Sequence, residues 1–340
     1  MPTLEHQKTV DVGEFVPVPW LRGGHRMTLF AWARRRRFPN LPRPAERFFD
    51  VARDSRILAH CYWQPAPPSH PTLLALHGLE GSSRAHYMQG LADKAYARGF
   101  NVVLLNQRNC GDTEHLSKGL YHSGLTHDPA AVISELVDVD RLRAIVVAGY
   151  SLGGNLALKL AGEYAGNPPP AVKAVAAVSP IVEVDRCVEA LERRQNVIYE
   201  WNFVRHLRQR MRRKARFHAE GFPMHRLRDV HTVRDFDEIF TAPHFGFQGA
   251  SDYYYRASAM RVIDRVQLPA LVIAAEDDPF VPAESFRKPE LAGNPHITLK
   301  LTPHGGHCAF VGPRTAGDDG YWAERAIVDF AEAHCGSGPV

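Results

Sequence analysis

The stretch Val146-Val147-Ala148-Gly149-Tyr150-Ser151-Leu152-Gly153-Gly154 decides how the chain is read. The apolar run Ala144 to Ala148 has the make-up of a buried strand, and Asn155-Leu156-Ala157-Leu158-Lys159-Leu160 that of a helix. Ser151 therefore falls on the corner between them. A sharp strand-to-helix corner strains the backbone of its serine and leaves no room for side chains two positions away, and Gly149 and Gly153 supply that room. Such a corner lifts a hydroxyl above the carboxyl edge of a parallel sheet, in position for nucleophilic attack.

Outward from this corner, strand and helix signals alternate. Upstream lie the short apolar runs Thr72 to Leu76 and Asn101 to Leu105, with helical segments at Arg84 to Arg98 and near Asp128 to Asp140. Downstream lie Val172 to Val178, Leu271 to Ala275 and His296 to Leu301, then a terminal helix from Tyr321 to about His334. Wholly apolar strands alternating with helices predict a doubly wound α/β fold around a mostly parallel sheet. An antiparallel edge hairpin is expected from Arg47 to Val51 and Ile57 to Trp63. The alternation fails between Ile181 and Gly249, so residues 181–249 are expected to form a helical cap over the rim. The core is then residues 46–180 and 250–340, and residues 1–45, rich in proline and arginine without clean periodicity, form an arm.

Composition bounds the function. With 45% hydrophobic and 23% charged residues the chain is an ordinary globular protein, and a net charge of +4 does not call for a nucleic-acid partner. Five scattered cysteines, no secretory-type leader and no long apolar window are read as a cytoplasmic protein. Two basic clusters stand out. One is Arg34-Arg35-Arg36-Arg37, expected to be a solvated face or a docking point for an anionic surface; the other is the run of seven bases and no acid between Glu200 and Glu220. Trp201, Val204, Leu207, Met211 and Ala215 mark one apolar face of a helix there, which predicts a basic face in water or peripheral contact with an anionic membrane.

A serine hydroxyl needs a histidine base and a group that orients it. Acid candidates follow a late strand in Glu276-Asp277-Asp278-Pro279, and histidines follow the last strand in His304-Gly305-Gly306-His307. Asp278, deepest in its turn, is favoured over Asp277, and His307, after two glycines, over His304. Without a third ligand nearby, His304-x-x-His307 is not read as a metal site, and neither a metal nor a cofactor is expected. Amides of Leu152, just after the serine, and of Leu79, in the loop after an early strand, are the expected oxyanion donors. His77 is expected to brace that loop, with Glu80 either its partner or exposed. Phe245, Phe247, Tyr253, Tyr254 and Tyr255 are candidates for lining an acyl pocket.

Six ordered motifs carry a resemblance: His77-Gly78-Leu79-Glu80-Gly81-Ser82, Arg108-Asn109-Cys110-Gly111, Tyr121-His122-Ser123-Gly124, Gly149 to Asn155, Ser251-Asp252-Tyr253-Tyr254, and the paired acid and histidine loops. Together they resemble the YheT-type α/β hydrolases, relatives of the eukaryotic ABHD1 and ABHD3 group. The resemblance implies the α/β-hydrolase fold and a charge-relay set on Ser151, Asp278 and His307. It also implies a small-molecule ester substrate, with acyl transfer to alcohols known among the relatives. In Gly24-His25-Arg26-Met27-Thr28 the family usually has glutamine where Met27 stands, and the hydrophobic N-terminal helix of membrane-anchored relatives has no counterpart in this sequence.

Overall fold

A computed structural model describes residues 10–335; residues 1–9 of the expected arm and 336–340 of the expected core lie outside them. Eight strands form one sheet: β1 (Ala45–Ala52), β2 (Ser55–Tyr62), β3 (Thr72–Leu76), β4 (Asn101–Leu105), β5 (Ile145–Tyr150), β6 (Val172–Val178), β7 (Ala270–Ala275) and β8 (Ile297–Thr302). Their spatial order is β1-β2-β4-β3-β5-β6-β7-β8, and only β2 runs against its neighbours. The central strands read as unbroken apolar runs because both sheet faces are covered. Leu74, Leu76, Val103, Leu105 and Val147 turn to one face, while Leu73, Ala75, Val102, Leu104 and Val146 turn to the other. The chain leaves β3 for β4 on one side and returns to β5 on the other. The loops after β3 and β5 therefore diverge, and a crevice opens at their carboxyl ends.

Six helices matter for this crevice: α1 (Gly24–Ala33), α2 (His86–Ala97), α3 (His127–Asp138), α4 (Leu152–Tyr164), α5 (Val184–Leu191) and α6 (Val197–Lys214). Helices α3 and α4 cover one sheet face, and α2 with the terminal helix Trp322–Cys335 covers the other. The segment between β6 and β7 is helical, and Val204, Leu207, Met211, Val233, Phe236 and Phe240 join the hydrophobic cluster on the α4 side.

The arm contains a helix, α1, that its sequence did not announce. Gly23 at its N-cap, at φ 122°, offers no side-chain cap, and only Gly24, Met27 and Ala31 are buried, so neither a capping signature nor a broad stripe was there to read. Packing makes it: Leu21, Met27 and Ala31 sit against Ala309, Val311 and Tyr321. Met27, where the family's glutamine was expected, accepts the Val311 N–H on its Sδ at 3.4 Å.

Each basic cluster turns part of itself inward, while Arg35, Arg37, Arg205, Arg212 and Arg216 are exposed as expected. Arg36 is buried, bidentate to Glu324 at 2.5 and 2.7 Å, bonded to Asp319 at 2.7 Å, and 3.5 Å over the Tyr321 ring. On α6, Arg210 and Lys214 turn inward and Arg213 grips Glu114 at 2.6 Å, while Trp201 is exposed at the overhanging first turns. The side chains of those first turns reach beyond the core, so helical spacing misassigned Trp201.

Replacing a buried charge partner strands the other, so Arg36→Met should lower unfolding free energy by about 3–5 kcal/mol in urea denaturation. Arg37→Met, at an exposed neighbour, should stay within about 0.5 kcal/mol.

Candidate active site

β5 ends at Tyr150 and α4 begins at Leu152, so a single residue makes the corner. Ser151 holds φ 54° and ψ −115°, a left-handed conformation costing about 1–3 kcal/mol for a residue with a Cβ. The two glycines are sterically required: a Cβ on Gly149 would lie 2.0 Å from the Gly153 carbonyl oxygen, and one on Gly153 would lie 2.2 Å from that of Leu76. The corner is pinned by the Ser151 N–H donating to the Val178 carbonyl at 2.9 Å.

The loop after β8 comes to the same carbonyl. Cys308 donates its N–H to Ser179 Oγ at 3.0 Å and its thiol to Val178 O at 3.6 Å, so His307 is anchored one residue from the atom that holds Ser151. His307 N–H donates to Thr28 Oγ1 at 2.8 Å, and Thr28 is itself tied to Gly24 O at 2.7 Å, so α1 buttresses the histidine loop. His307 Nδ1 meets Asp278 Oδ2 at 2.9 Å, with side-chain exposures of 11% and 1%. The other Asp278 oxygen accepts the N–H groups of Phe280 and Val281 at 3.1 and 3.0 Å, and the Phe280 ring lies 4.1 Å from the imidazole. Burial pulls the His307 pKa down, but the charge of Asp278 first and of Cys308 second, with a hydrogen bond to each, outweigh it and hold the ring up at about 10. Among the hydrogen bonds of the described residues none joins the Ser151 hydroxyl to the His307 ring.

The alternative candidates pair with each other. His304 Nδ1 meets Asp277 Oδ2 at 3.1 Å, and Asp277 Oδ1 accepts Gly306 N–H at 2.9 Å. This pair is more exposed, at 36% and 18%, and it shapes the turn that carries His307. The two histidines therefore face different aspartates rather than a common point.

Across the crevice, the loop after β3 is held by its flanks. Gly78 N–H donates to Tyr87 Oη at 3.1 Å and Glu80 N–H to Tyr121 Oη at 3.0 Å, while among the described residues no hydrogen bond takes up the N–H of Leu79 between them, nor that of Leu152. His77 is fully buried, its Nδ1 bonded to Gly78 O at 2.7 Å and its Nε2 accepting Gln107 N–H at 3.1 Å; burial lowers its pKa to about 4, so it braces the loop as a neutral ring. Glu80 is a tether: its carboxylate accepts from Tyr121 Oη at 3.1 Å and from Arg210 Nε on α6 at 2.8 Å.

Leu79 and Leu152 also border a cavity of about 60 Å³ that runs under the helices between β6 and β7, with Ile181, Val184, Leu207 and Phe236 in its walls. Of the five candidate aromatics, Tyr253 lines it. Phe245 and Phe247 instead pack edge-on against His122, and Tyr255 is exposed. Sequence reasoning missed Arg210, Asp237 and Thr241, which reach the cavity too. Arg210 sat in a run read as a solvated or membrane-facing surface, and nothing in the sequence couples it to Glu80, 130 positions away.

Residues 71–312 match the family model described as alpha/beta hydrolase fold. YheT of Escherichia coli (strain K12), named as an esterase, is 32% identical over 338 residues, covering 96% of each chain. The Mus musculus protein named phospholipase ABHD3 is 29% identical over 72% of this chain and 59% of its own length. The solved structure of the Pyrococcus furiosus esterase Pf2001 superposes with a TM-score of 0.57 at 15% identity, covering 87% of this chain and all of that one, which is a likeness of fold. By its sheet order, its motifs and its identity to YheT along almost the whole length, the chain belongs to the YheT-type α/β hydrolases.

Proposed function

We infer that this carboxylic ester hydrolase works through an acyl-enzyme intermediate on Ser151, with residues 181–249 as a cap over its acyl site. The observation that supports this most directly is the buried Asp278–His307 pair on a loop anchored beside the Ser151 corner. Ser151 Oγ attacks the ester carbonyl carbon while His307 Nε2 takes its proton, and Asp278 keeps the Nδ1 proton in place so that Nε2 is the basic nitrogen. The developing oxyanion receives the free N–H groups of Leu79 and Leu152. Collapse of the tetrahedral adduct expels the alkoxide, which leaves as the alcohol with the proton from His307. Water, activated by the same ring, then releases the carboxylic acid. An alcohol in place of that water would give acyl transfer by the same steps. All five cysteines are free thiols, which fits a cytoplasmic setting.

A second part of the reading is peripheral contact with an anionic membrane. His25, Leu29 and Trp32 share one face of α1, and His25 stacks on Tyr199 of α6, whose neighbours Val197, Ile198 and Trp201 turn outward. Trp32 and Ile198 are 69% and 68% exposed. Arg205 lies 5.6 Å over the Trp201 ring and Arg26, next to His25 on α1, is exposed, and the ring sequence His25, Tyr199, Phe280, His307 links this rim to the site. Apolar side chains ringed by arginine suit a lipid surface carrying negative charge. Among the described residues no helix is long and apolar enough to cross a membrane.

Three outcomes are expected. Ser151→Ala should lower kcat/KM on p-nitrophenyl butanoate by at least about 10³-fold and abolish fluorophosphonate labelling, and retained activity would sink the mechanism. Added ethanol gives ethyl butanoate only if the acyl-enzyme partitions to alcohols. Because only the neutral ring accepts the serine proton, kcat/KM should climb through the alkaline range, above the ordinary histidine value. In Asp278→Asn the largest of the influences that hold the ring up is gone, so that limb should move to lower pH while kcat drops about 10⁴-fold. The same raised value means the pair stabilises the fold fully below pH 6.5 and progressively less as pH rises towards 10. Finally, the protein should co-sediment with phosphatidylglycerol vesicles more than with phosphatidylcholine vesicles, and Trp32→Ser and Ile198→Ser should each lower the bound fraction. Equal binding to both lipids, or none, rejects the membrane contact.

A further inference from the structure

The cavity behind the oxyanion amides does not end in hydrocarbon. Arg210 enters it from α6 with 2% of its surface exposed, its Nε committed to Glu80 and its guanidinium 4.9 Å from the Tyr121 ring centre and 5.6 Å from that of Phe236. Its Nη1 is buried and has no hydrogen-bond partner among the described residues. A buried charged donor without an acceptor, beside a narrow and mostly apolar space, is costly, and such orphans call for an explanation.

Beside it a short helix, Val233–Phe236, runs on into a π-turn, Asp237–Thr241, a distortion frequent where a helix serves a site. The turn brings Asp237 and Thr241 into the same cavity wall. Asp237 is already engaged: its Oδ1 accepts from Thr241 Oγ1 at 2.7 Å and its Oδ2 from Tyr254 Oη at 2.9 Å. Burial raises its pKa to about 6, against the pull of those hydrogen bonds and of Arg210. Of the polar side chains in this wall, Arg210 is the one with a buried donor left without a partner among the described residues.

We propose that Arg210 Nη1 is a specificity determinant of the acyl site, which takes short acyl chains carrying a neutral oxygen acceptor, an oxo or ether oxygen, near their far end. This rests on the acyl-enzyme reading, since the cavity is the acyl site only if the Leu79 and Leu152 amides at its border hold the oxyanion. The size of the cavity, about 60 Å³, suits an acyl chain of a few carbons. Charge selects the oxygen. Arg210 and Glu80 neutralise each other, and the Asp237 carboxyl beside them disfavours an acyl chain ending in a carboxylate. A neutral carbonyl or ether oxygen accepts from Nη1 without bringing a second charge into the enclosure. An all-carbon chain of equal shape leaves that donor unmatched, the situation in which enzymes discriminate most strongly.

The test compares near-isosteric p-nitrophenyl esters on the wild-type chain: pentanoate, 3-methoxypropanoate and 4-oxopentanoate, with the 5-oxohexanoate and monoglutarate esters as longer and anionic members. Active-site concentration is set by fluorophosphonate titration of Ser151. The better of the ether and oxo esters should exceed pentanoate by at least about tenfold in kcat/KM after correction for intrinsic reactivity in alkaline hydrolysis, and monoglutarate should be the poorest. Arg210→Met should erase the ratio of oxygenated to all-carbon ester, and Arg210→Lys should restore part of it. Pentanoate equal to or faster than its oxygenated counterparts in the wild type overturns the proposal without any variant, and so does a ratio that survives in Arg210→Met. Failure of the underlying mechanism is separate: Ser151 would then remain unlabelled while ester hydrolysis continued.

Discussion

The Val178 carbonyl, at the last residue of β6, is the atom about which the site is assembled. It accepts the Ser151 N–H at 2.9 Å and takes the Cys308 thiol at 3.6 Å, so the strained corner and the histidine loop share one fixed point on the sheet. The parallel register of β5 on β6, with Tyr150 opposite Val178, puts that carbonyl where the corner needs it. Strain at Ser151 persists because the surroundings over-determine it: strand pairing on one side, a closely packed helix on the other, and no space for a Cβ at either glycine.

A second constraint joins the sheet to the helices above it. Glu80 follows Leu79 directly, and its pairing with Arg210 ties the oxyanion loop to α6, while Lys214 donates to Asn109 Oδ1 at 2.8 Å and Ser117 O at 2.6 Å. Buried pairs of this kind contribute little net stability, since desolvation offsets most of the attraction, but breaking one strands the other charge. Their effect is registry. Helix α6 cannot shift without moving the loop that carries the Leu79 amide.

Much of this was legible in order along the chain. The wholly apolar runs identified the parallel strands, because a strand covered on both faces has no polar side to show. The glycines around Ser151 identified the corner, because steric exclusion acts within four residues. The loops of Asp278 and His307 were recognisable from their positions after β7 and β8. Arg36 and Arg210 were misjudged for one reason: a charged side chain's burial depends on whether carboxylates from distant segments meet it, and neither Glu324 nor Glu80 is near its arginine in sequence. Helix α1 escaped notice because its stability comes from packing against Ala309, Val311 and Tyr321 rather than from its own pattern.

The sequence by itself determined the alternation of strands and helices, the strained serine corner and the residue types available around it, since each follows from local sterics and hydrophobic periodicity. Only the tertiary structure decided which aspartate faces which histidine. Asp277 and Asp278 are adjacent, and His304 and His307 lie on one loop, so four pairings were open until the turn hydrogen bonds, Gly306 to Asp277 and Phe280 and Val281 to Asp278, aimed each carboxylate. The tertiary structure likewise decided that a basic run sends Arg210 to the wall of the cavity beside Leu79 and Leu152 rather than to solvent, because burying a charge depends on partners the chain brings together from far apart.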